Sequence, residues 1–392
     1  MTINDLTQVQ VNSEFSESER TWFDRQIKLH NCGVAGQVRL KESTVAVIGA
    51  GGLGCASLSS LVMTGIGRIL IFDFDTVSLS NLHRQSLYRV CDVGRLKVEV
   101  ASERLNDLNP WAHIEGYAQP LRRYSALSHL KQVDLILDCT DRFSARANIA
   151  AICQDLNTPH VYGSVSGRDG QIALFNPNYS CFRCLFPNLP TGGVIQSCDQ
   201  GGVLGVTPQV IGSMQAQLAI DYLLSERMTT RGGNRLHMIS TSPLQTHQLN
   251  LSRLPSCPLC SINHHHQLNE SLEPFPIPIS AHVVMSRLER GWMPVILDVR
   301  TPEEYGEGHL LKAINMDSDQ LLSLFERNEL PHKYQELILK EDLLIYCQRG
   351  PRAERAAKAI HAYRTASLGA KAVYGEVYEL VGGYSGWRDH IK

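Results

Sequence analysis

Val45-Ala46-Val47-Ile48-Gly49-Ala50-Gly51-Gly52-Leu53-Gly54 is the stretch that decides how the first half of this chain folds. Its first four residues are apolar and rich in β-branched side chains, the pattern of a buried strand. Gly49, Gly51 and Gly54 satisfy G-x-G-x-x-G, with Gly52 inside the same turn. Such a turn lets backbone approach a phosphate, and the helix that follows aims its N-terminal amides at it. Ala56, Leu58, Leu61 and Val62 then fall at helical spacing, and Gly65 and Gly67 end the helix. Ile69-Leu70-Ile71-Phe72 reads as the next strand and Val133-Asp134-Leu135-Ile136-Leu137 as a later one. Short β-rich runs between helix-length segments predict an α/β fold with a parallel, Rossmann-like doubly wound sheet.

The chain has 392 residues, enough for two or three domains with ample core. Its 37 Lys+Arg against 39 Asp+Glu leave a net charge of −2, without the basic surplus that electrostatic binding to nucleic acid or membrane needs. No stretch reaches the roughly 20 uncharged apolar residues of a membrane span. The first residues, with Asn4, Asp5, Glu14, Glu17 and Glu19, lack the basic-then-apolar order of a signal peptide. The expectation is a soluble, cytoplasmic protein with no nucleic-acid or membrane partner. Its eleven cysteines are an odd number, and a reducing compartment excludes a routine disulfide framework. They call for another explanation.

Asp73 and Asp75 follow the second strand, where an acid can bond a ribose hydroxyl. So far a nicotinamide dehydrogenase fits equally well. Asn81, Arg84 and Lys97 come next, and several cations beside one phosphate turn suit a triphosphate better than a dinucleotide. Asp141, in Asp138-Cys139-Thr140-Asp141, follows another strand end, where a carboxylate could hold Mg²⁺. Taken singly, Arg84 and Lys97 would be surface charges and Asp141 a helix cap. Taken jointly, at neighbouring strand ends, they read as a site.

Phe23-Asp24-Arg25-Gln26, the glycine turn, the run Asp73 to Gln85 and Asp138-Cys139-Thr140-Asp141 closely resemble the MoeB/ThiF-type adenylyltransferases, bacterial relatives of ubiquitin-activating enzymes. The resemblance runs from about Arg20 to Cys260. It implies ATP-dependent adenylation of the C-terminal glycine of a ubiquitin-like sulfur-carrier protein ending in Gly-Gly. It further implies that Asp73 holds the ribose, that Asn81, Arg84 and Lys97 hold phosphates and that Asp141 holds magnesium. Arg25 would reach the nucleotide of a neighbouring subunit in a homodimer. The chemistry suits these residues. A carboxylate attacks the α-phosphate while pyrophosphate leaves, so cations and a metal must offset the repulsion of two anions. A carboxylate ionised at pH 7 needs no general base.

Cys181-x-x-Cys184 and Cys257-x-x-Cys260 are two C-x-x-C knuckles, and two such pairs predict a closed tetrahedral Cys₄ site holding structural Zn²⁺. A redox pair and ordinary buried thiols are the rival readings, but a redox pair would not require a second copy. Cys198 lies on a glycine-rich loop, Gln196 to Gly205. By the same resemblance this loop crosses the adenylation site, and its cysteine can bond the activated carrier or a sulfur donor. Without that role Cys198 is a bystander thiol beside Asp199.

Residues 263–275 read as a linker, with the prolines Pro274, Pro276 and Pro278 around its end. The adenylyltransferase domain therefore spans 1–262 and a second, smaller α/β domain 276–392. In that domain Leu343-Leu344-Ile345-Tyr346 runs into Cys347-Gln348-Arg349-Gly350-Pro351-Arg352 and then a helical stretch. A cysteine at a strand-to-helix turn meets backbone N–H groups and the positive end of the helix dipole, and Arg349 and Arg352 add positive charge. Cys347 reads as a nucleophile. Residues 276–392 resemble a rhodanese sulfurtransferase domain, on Leu297-Asp298-Val299-Arg300 with Glu303, Glu304 and Tyr305, on Gly308-His309, on the six-residue loop Cys347 to Arg352, and on Gly382-Gly383 with Trp387. The resemblance implies a persulfide on Cys347, cradled by Gln348, Arg349, Gly350 and Arg352 and charged by a persulfide or thiosulfate donor. Leu311-Lys312 and Gln348 depart from its usual pattern.

Together the halves imply one sequence of reactions. An acyl-adenylate forms on the carrier, and persulfide sulfur from Cys347 displaces AMP to give a thiocarboxylate. The resemblance favours molybdopterin biosynthesis. The rivals are an NAD-dependent oxidoreductase with structural zinc and a non-catalytic scaffold for sulfur-carrier partners.

Overall fold

In the computed structural model the chain divides into two compact units, Met1–His266 and Gln267–Lys392. The structure describes residues 15–119, 121, 129–189, 202–225, 235–261, 276–279, 281–289, 291–327, 329–368 and 375–391. Cys198 and the linker 263–275 lie outside these described residues.

Strand β1 (Thr44–Ile48) sets the architecture of the first unit, because side chains alternate across a strand. Val45 and Val47 join one core with Leu58 and Leu61 of the helix Gly52–Thr64 and Ile211 of the helix Val206–Leu224. Ala46 and Ile48 join another core with Ile149 and Ile152 of the helix Phe143–Leu156. Both faces of β1 are therefore covered by helices, which is what a near-continuous apolar strand requires.

Strands β2 (Arg68–Phe72), β3 (His113–Tyr117), β4 (Leu135–Asp138), β5 (His160–Ser166), β6 (Asp169–Phe175), β7 (Arg235–Thr241) and β8 (Leu244–Asn250) complete an eight-stranded sheet. Its order is β3-β2-β1-β4-β5-β6-β7-β8. The first five strands are parallel. Strand order reverses between β1 and β4, the switch point at which open α/β sheets bind ligands beyond the carboxyl ends of their strands. The parallel-dominated α/β sheet agrees with the expectation from sequence, and β6, β7 and β8 extend it as antiparallel additions. β8 is exposed at all seven positions, so no burial constrains its side chains to alternate. The glycine turn is also shorter than the motif suggests, since the helix already begins at Gly52.

The second unit holds a five-stranded parallel sheet of β9 (Ile277–Ile279), β10 (Val295–Asp298), β11 (Ile314–Asn315), β12 (Leu343–Tyr346) and β13 (Val377–Leu380). The order is β11-β10-β12-β13-β9. β12 is buried throughout and central, and it feeds Cys347 into the helix Pro351–Leu368. Pro278, one of the prolines that suggest a linker, lies in β9 instead, at the sheet edge where its missing N–H is tolerated.

Candidate functional site

Two glycines of the turn are fixed by the chain itself. Gly49 has φ +98°, and a Cβ there would sit 2.9 Å from the Cys139 carbonyl. At Gly54 a Cβ would come within 2.0 Å of the Gly49 carbonyl. Gly51 differs. Its φ of −77° is ordinary, and a Cβ would meet nothing nearer than Gln85 Nε2 at 3.8 Å. Neither conformation nor packing demands glycine at position 51, so its bare backbone leaves room for something outside the chain.

Acids and bases gather around this turn. Asp73 (8% exposed), just past β2, accepts the Ala50 N–H at 2.7 Å on Oδ2 and the Asp75 N–H at 2.8 Å on Oδ1. Tyr88 donates its hydroxyl to the Ala50 carbonyl at 2.8 Å, so the middle of the turn is held from both sides. Lys97 (4% exposed) pairs with Asp75 at 2.8 Å. Burial alone would lower the Lys97 pKa, but the Asp73 and Asp75 carboxylates hold it above its ordinary value. Burial likewise raises the Asp73 carboxyl, against the pull of Lys97.

The loop after β4 packs on Gly49 through Cys139 and Thr140, and the Arg84 carbonyl lies beside Gly52. Gln209 donates to that same carbonyl at 2.8 Å. The structure thus collects the glycine turn, Asp73, Lys97, the backbone of Arg84 and the segment leading to Asp141 at one end of the sheet. Asn81 ends a short 3₁₀ turn, Leu79–Asn81, and accepts the Arg84 and Gln85 N–H groups on its carbonyl. Asp141 is exposed.

Arg25 is not brought to the turn of its own chain. It is 93% exposed on the helix Glu17–Ile27, and the adjacent Gln26 donates to the Thr64 carbonyl at 2.8 Å. Thr64 closes the helix that Gly52 opens, and at 1.5 Å per residue the two ends lie about 18 Å apart.

A second cluster stands apart from this turn. Cys181 and Cys257 sulfurs are 3.6 Å apart, Cys184 and Cys260 3.4 Å, Cys181 and Cys184 3.9 Å, and all four lie within 4.8 Å of one another. Four thiolates at 2.3 Å from one tetrahedral ion would be about 3.8 Å apart, so the donor set can hold a metal. Hydrogen bonds from Cys181 lower the Cys184 and Cys257 thiols, and the same sharing raises Cys181.

In the second unit Cys347 is 1% exposed, and the Gly350 N–H reaches its sulfur at 3.0 Å. The loop is pinned from behind: the Tyr384 and Ser385 N–H groups donate to the Cys347 and Gln348 carbonyls at 2.8 and 3.2 Å. Gln348 turns inward, accepting from Arg300 Nη1 at 3.2 Å and donating to Ser385 Oγ at 2.9 Å. Arg300 also donates to Asp298 through Nε and Nη2, and its guanidinium lies 4.1 Å from the Tyr384 ring centre. Arg349 is exposed.

Arg352 departs from the sequence expectation in part. It lies near Cys347, but its guanidinium binds Glu304 in bidentate fashion at 2.6 and 2.7 Å. Its charge is therefore largely matched, and Arg352 holds the Glu304 carboxyl down at about 2. Sequence reasoning did not find this pairing. The readable signal was the capping box Thr301-Pro302-Glu303-Glu304, which places Glu304 on a helix start, though not against Arg352. At Leu311-Lys312, Lys312 takes φ +64°, the conformation a glycine adopts more readily.

Comparison with known proteins follows the same division. A family model described as the ThiF family matches residues 23–259, and a rhodanese-like domain model matches residues 280–390. A sulfur carrier protein adenylyltransferase of Thermus thermophilus is 40% identical over 63% of this chain and 92% of its own. The adenylyltransferase and sulfurtransferase MOCS3 of Caenorhabditis briggsae is 30% identical over 95% of both chains. The adenylyltransferase and sulfurtransferase UBA4 of Kluyveromyces lactis is 33% identical over 84% of this chain and 80% of its own. Among solved structures, E. coli MccB with MccA-N7isoASN aligns over 63% of this chain and 76% of that one, with a TM-score of 0.54 at 22% identity, a likeness of fold.

Proposed function

This chain belongs to the ThiF family and ends in a rhodanese-like domain, and on that premise we propose how its two units divide one reaction sequence. It is an enzyme, an adenylyltransferase and sulfurtransferase that uses ATP to activate a ubiquitin-like sulfur carrier. The observation that carries the adenylation half is Gly51. Its backbone is left bare where no residue of the chain requires it, at the switch point of the sheet. An oxygen of the carrier's C-terminal glycine carboxylate attacks the α-phosphorus there, and pyrophosphate departs. Asp73 holds the ribose, and Asn81, Arg84 and Lys97 hold phosphates, Lys97 by loosening its pair with Asp75. Asp141 is the residue that would hold Mg²⁺, which screens the phosphate charge when bound. Arg25, remote from its own turn, reaches the nucleotide of a second copy in a homodimer.

The four cysteines Cys181, Cys184, Cys257 and Cys260 bind Zn²⁺ as a structural clip. All four positions are filled by thiolates, so no coordination site is left for a substrate.

Sulfur enters on Cys347, whose persulfide receives backbone N–H bonds from the loop. Its terminal sulfur attacks the carrier's acyl carbon, AMP leaves, and an acyl disulfide links carrier and Cys347. A second thiol then attacks the Cys347 sulfur, releasing the thiocarboxylate and leaving a disulfide that a thiol reductant resets. Cys198 is the candidate for that thiol. The carrier is of the molybdopterin-synthase small-subunit type, ending in Gly-Gly. ATP–pyrophosphate exchange with such carriers tests the reading. Exchange that depends on the carrier's terminal glycine supports it, and none with any candidate would sink it.

A further inference from the structure

The segment that presents Asp141 is held by a buried arginine. Thr140 is pinned at three points. Its N–H and its hydroxyl both donate to Asp138 Oδ1, at 3.0 and 2.7 Å, and its carbonyl accepts from Arg146 Nη2 at 2.9 Å. Asp138 is itself fixed, since its carbonyl accepts from Gln215 Nε2 at 2.8 Å. The Thr140 carbonyl and the Asp141 N–H belong to one planar peptide, so a donor that orients the carbonyl also orients the Cα of Asp141.

Holding Arg146 there is costly. It is 4% exposed, in the first turn of the helix Phe143–Leu156, where the helix dipole disfavours a cation. The rings of Phe143 and Tyr162 lie 5.3 and 5.2 Å from its guanidinium carbon and favour the charge in this place. Its Nε and the Asp138 Oδ2 are both buried without a hydrogen-bond partner among the described residues. A leucine or methionine would fill the volume without these penalties. What a leucine or methionine could not supply is the bond to the Thr140 carbonyl, together with a positive charge near the buried Asp138 carboxylate.

We infer that Arg146 is a positioning residue for adenylation: with Asp138 it clamps the Thr140–Asp141 peptide and so aims the Asp141 carboxylate at the metal and phosphates. This rests on the reading of Asp141 as the metal-binding carboxylate.

The test is equilibrium binding of a fluorescent ATP analogue to the full chain, titrated with Mg²⁺. Arg146→Gln should raise the Mg²⁺ needed for half-maximal binding about tenfold and leave metal-free binding unchanged. Asp141→Asn should do the same, and the double variant should be no worse than either single one. Persulfide loading of Cys347 by the donor, which needs no ATP, should stay as in the parent. Should Arg146→Gln fail to fold, Thr140→Val removes the hydroxyl bond alone and should shift Mg²⁺ dependence about threefold. An unchanged titration for Arg146→Gln, or for Thr140→Val where the first variant does not fold, overturns the inference if Asp141→Asn shifts it. An unchanged titration for Asp141→Asn overturns the metal reading and the inference with it.

Discussion

The turn after β1 and the loop after β12 leave the carboxyl ends of central parallel strands in their own sheets, and both lead directly into a helix. Each aims helix N-terminal amides at a point just beyond the sheet. Gly49–Gly51 carries no side chain larger than the Ala50 methyl, and in the proposed reaction its anion comes from outside. At Cys347–Gly350 the loop folds around a thiol whose sulfur already accepts a loop N–H at 3.0 Å, and in the proposed reaction that sulfur carries the anion covalently. In the proposed reaction the same local architecture serves a diffusible phosphate in one unit and a fixed sulfur in the other. The residue in the turn decides which.

The comparison breaks first at Cys347. Cys347→Ser should lower sulfur transfer to the carrier by at least about 10³-fold while ATP–pyrophosphate exchange stays at the parent level. If exchange fell with it, the two turns would not be independent chemical sites.

The glycines sharpen the contrast. Gly54→Ala drives a Cβ into the Gly49 carbonyl and should destabilise the first unit by about 3 kcal/mol, read from urea denaturation. At Gly51 an added Cβ meets nothing nearer than Gln85 Nε2 at 3.8 Å, so Gly51→Ala should fold normally and weaken ATP binding about tenfold. Equal loss of stability in both variants would remove the argument for an external ligand at Gly51.

Metal removal asks how much of the first unit depends on the four cysteines. Cys184→Ser should abolish stoichiometric zinc and cost about 3 kcal/mol, which for a unit of this size lowers Tm by roughly 10 °C. Calorimetry with metal analysis checks it. A variant without zinc and with unchanged Tm would make the cluster dispensable.

The smallest effect concerns Glu304. Its carboxyl is held at about 2 in the folded state by Arg352, below its usual unfolded value near 4.3. The depressed value means that the pair stabilises fully above the unfolded pKa and that this contribution is lost as pH falls from about 4.5 towards 2. The pair is about one-third exposed, so solvent screening keeps the effect to about 1 kcal/mol or less. Glu304→Gln should flatten that part of the stability–pH curve in denaturant titrations. An unaltered acid limb would place the carboxyl's stabilisation elsewhere.

What the sequence discloses tracks how local the cause is. The β1 turn, the Cys347 loop and the two C-x-x-C knuckles are legible because a few adjacent residues carry the whole constraint. β8 is not, since strand periodicity reflects one buried face and Leu244–Asn250 has none. The pairing of Arg352 with Glu304 is not legible, because the two are 48 residues apart and only the fold brings them together. The Arg146 clamp was hidden for a related reason. Its acceptor is a backbone carbonyl, which carries no residue identity to read.

The central claim is that one chain both activates the carrier and supplies its sulfur. Intact mass of a carrier ending in Gly-Gly, incubated with the full-length protein, Mg²⁺ and a persulfide donor, measures it directly with and without ATP. Replacement of one carrier oxygen by sulfur is expected only when ATP is present. Sulfur incorporation without ATP, or none in its presence while Cys347 carries a persulfide, would contradict it.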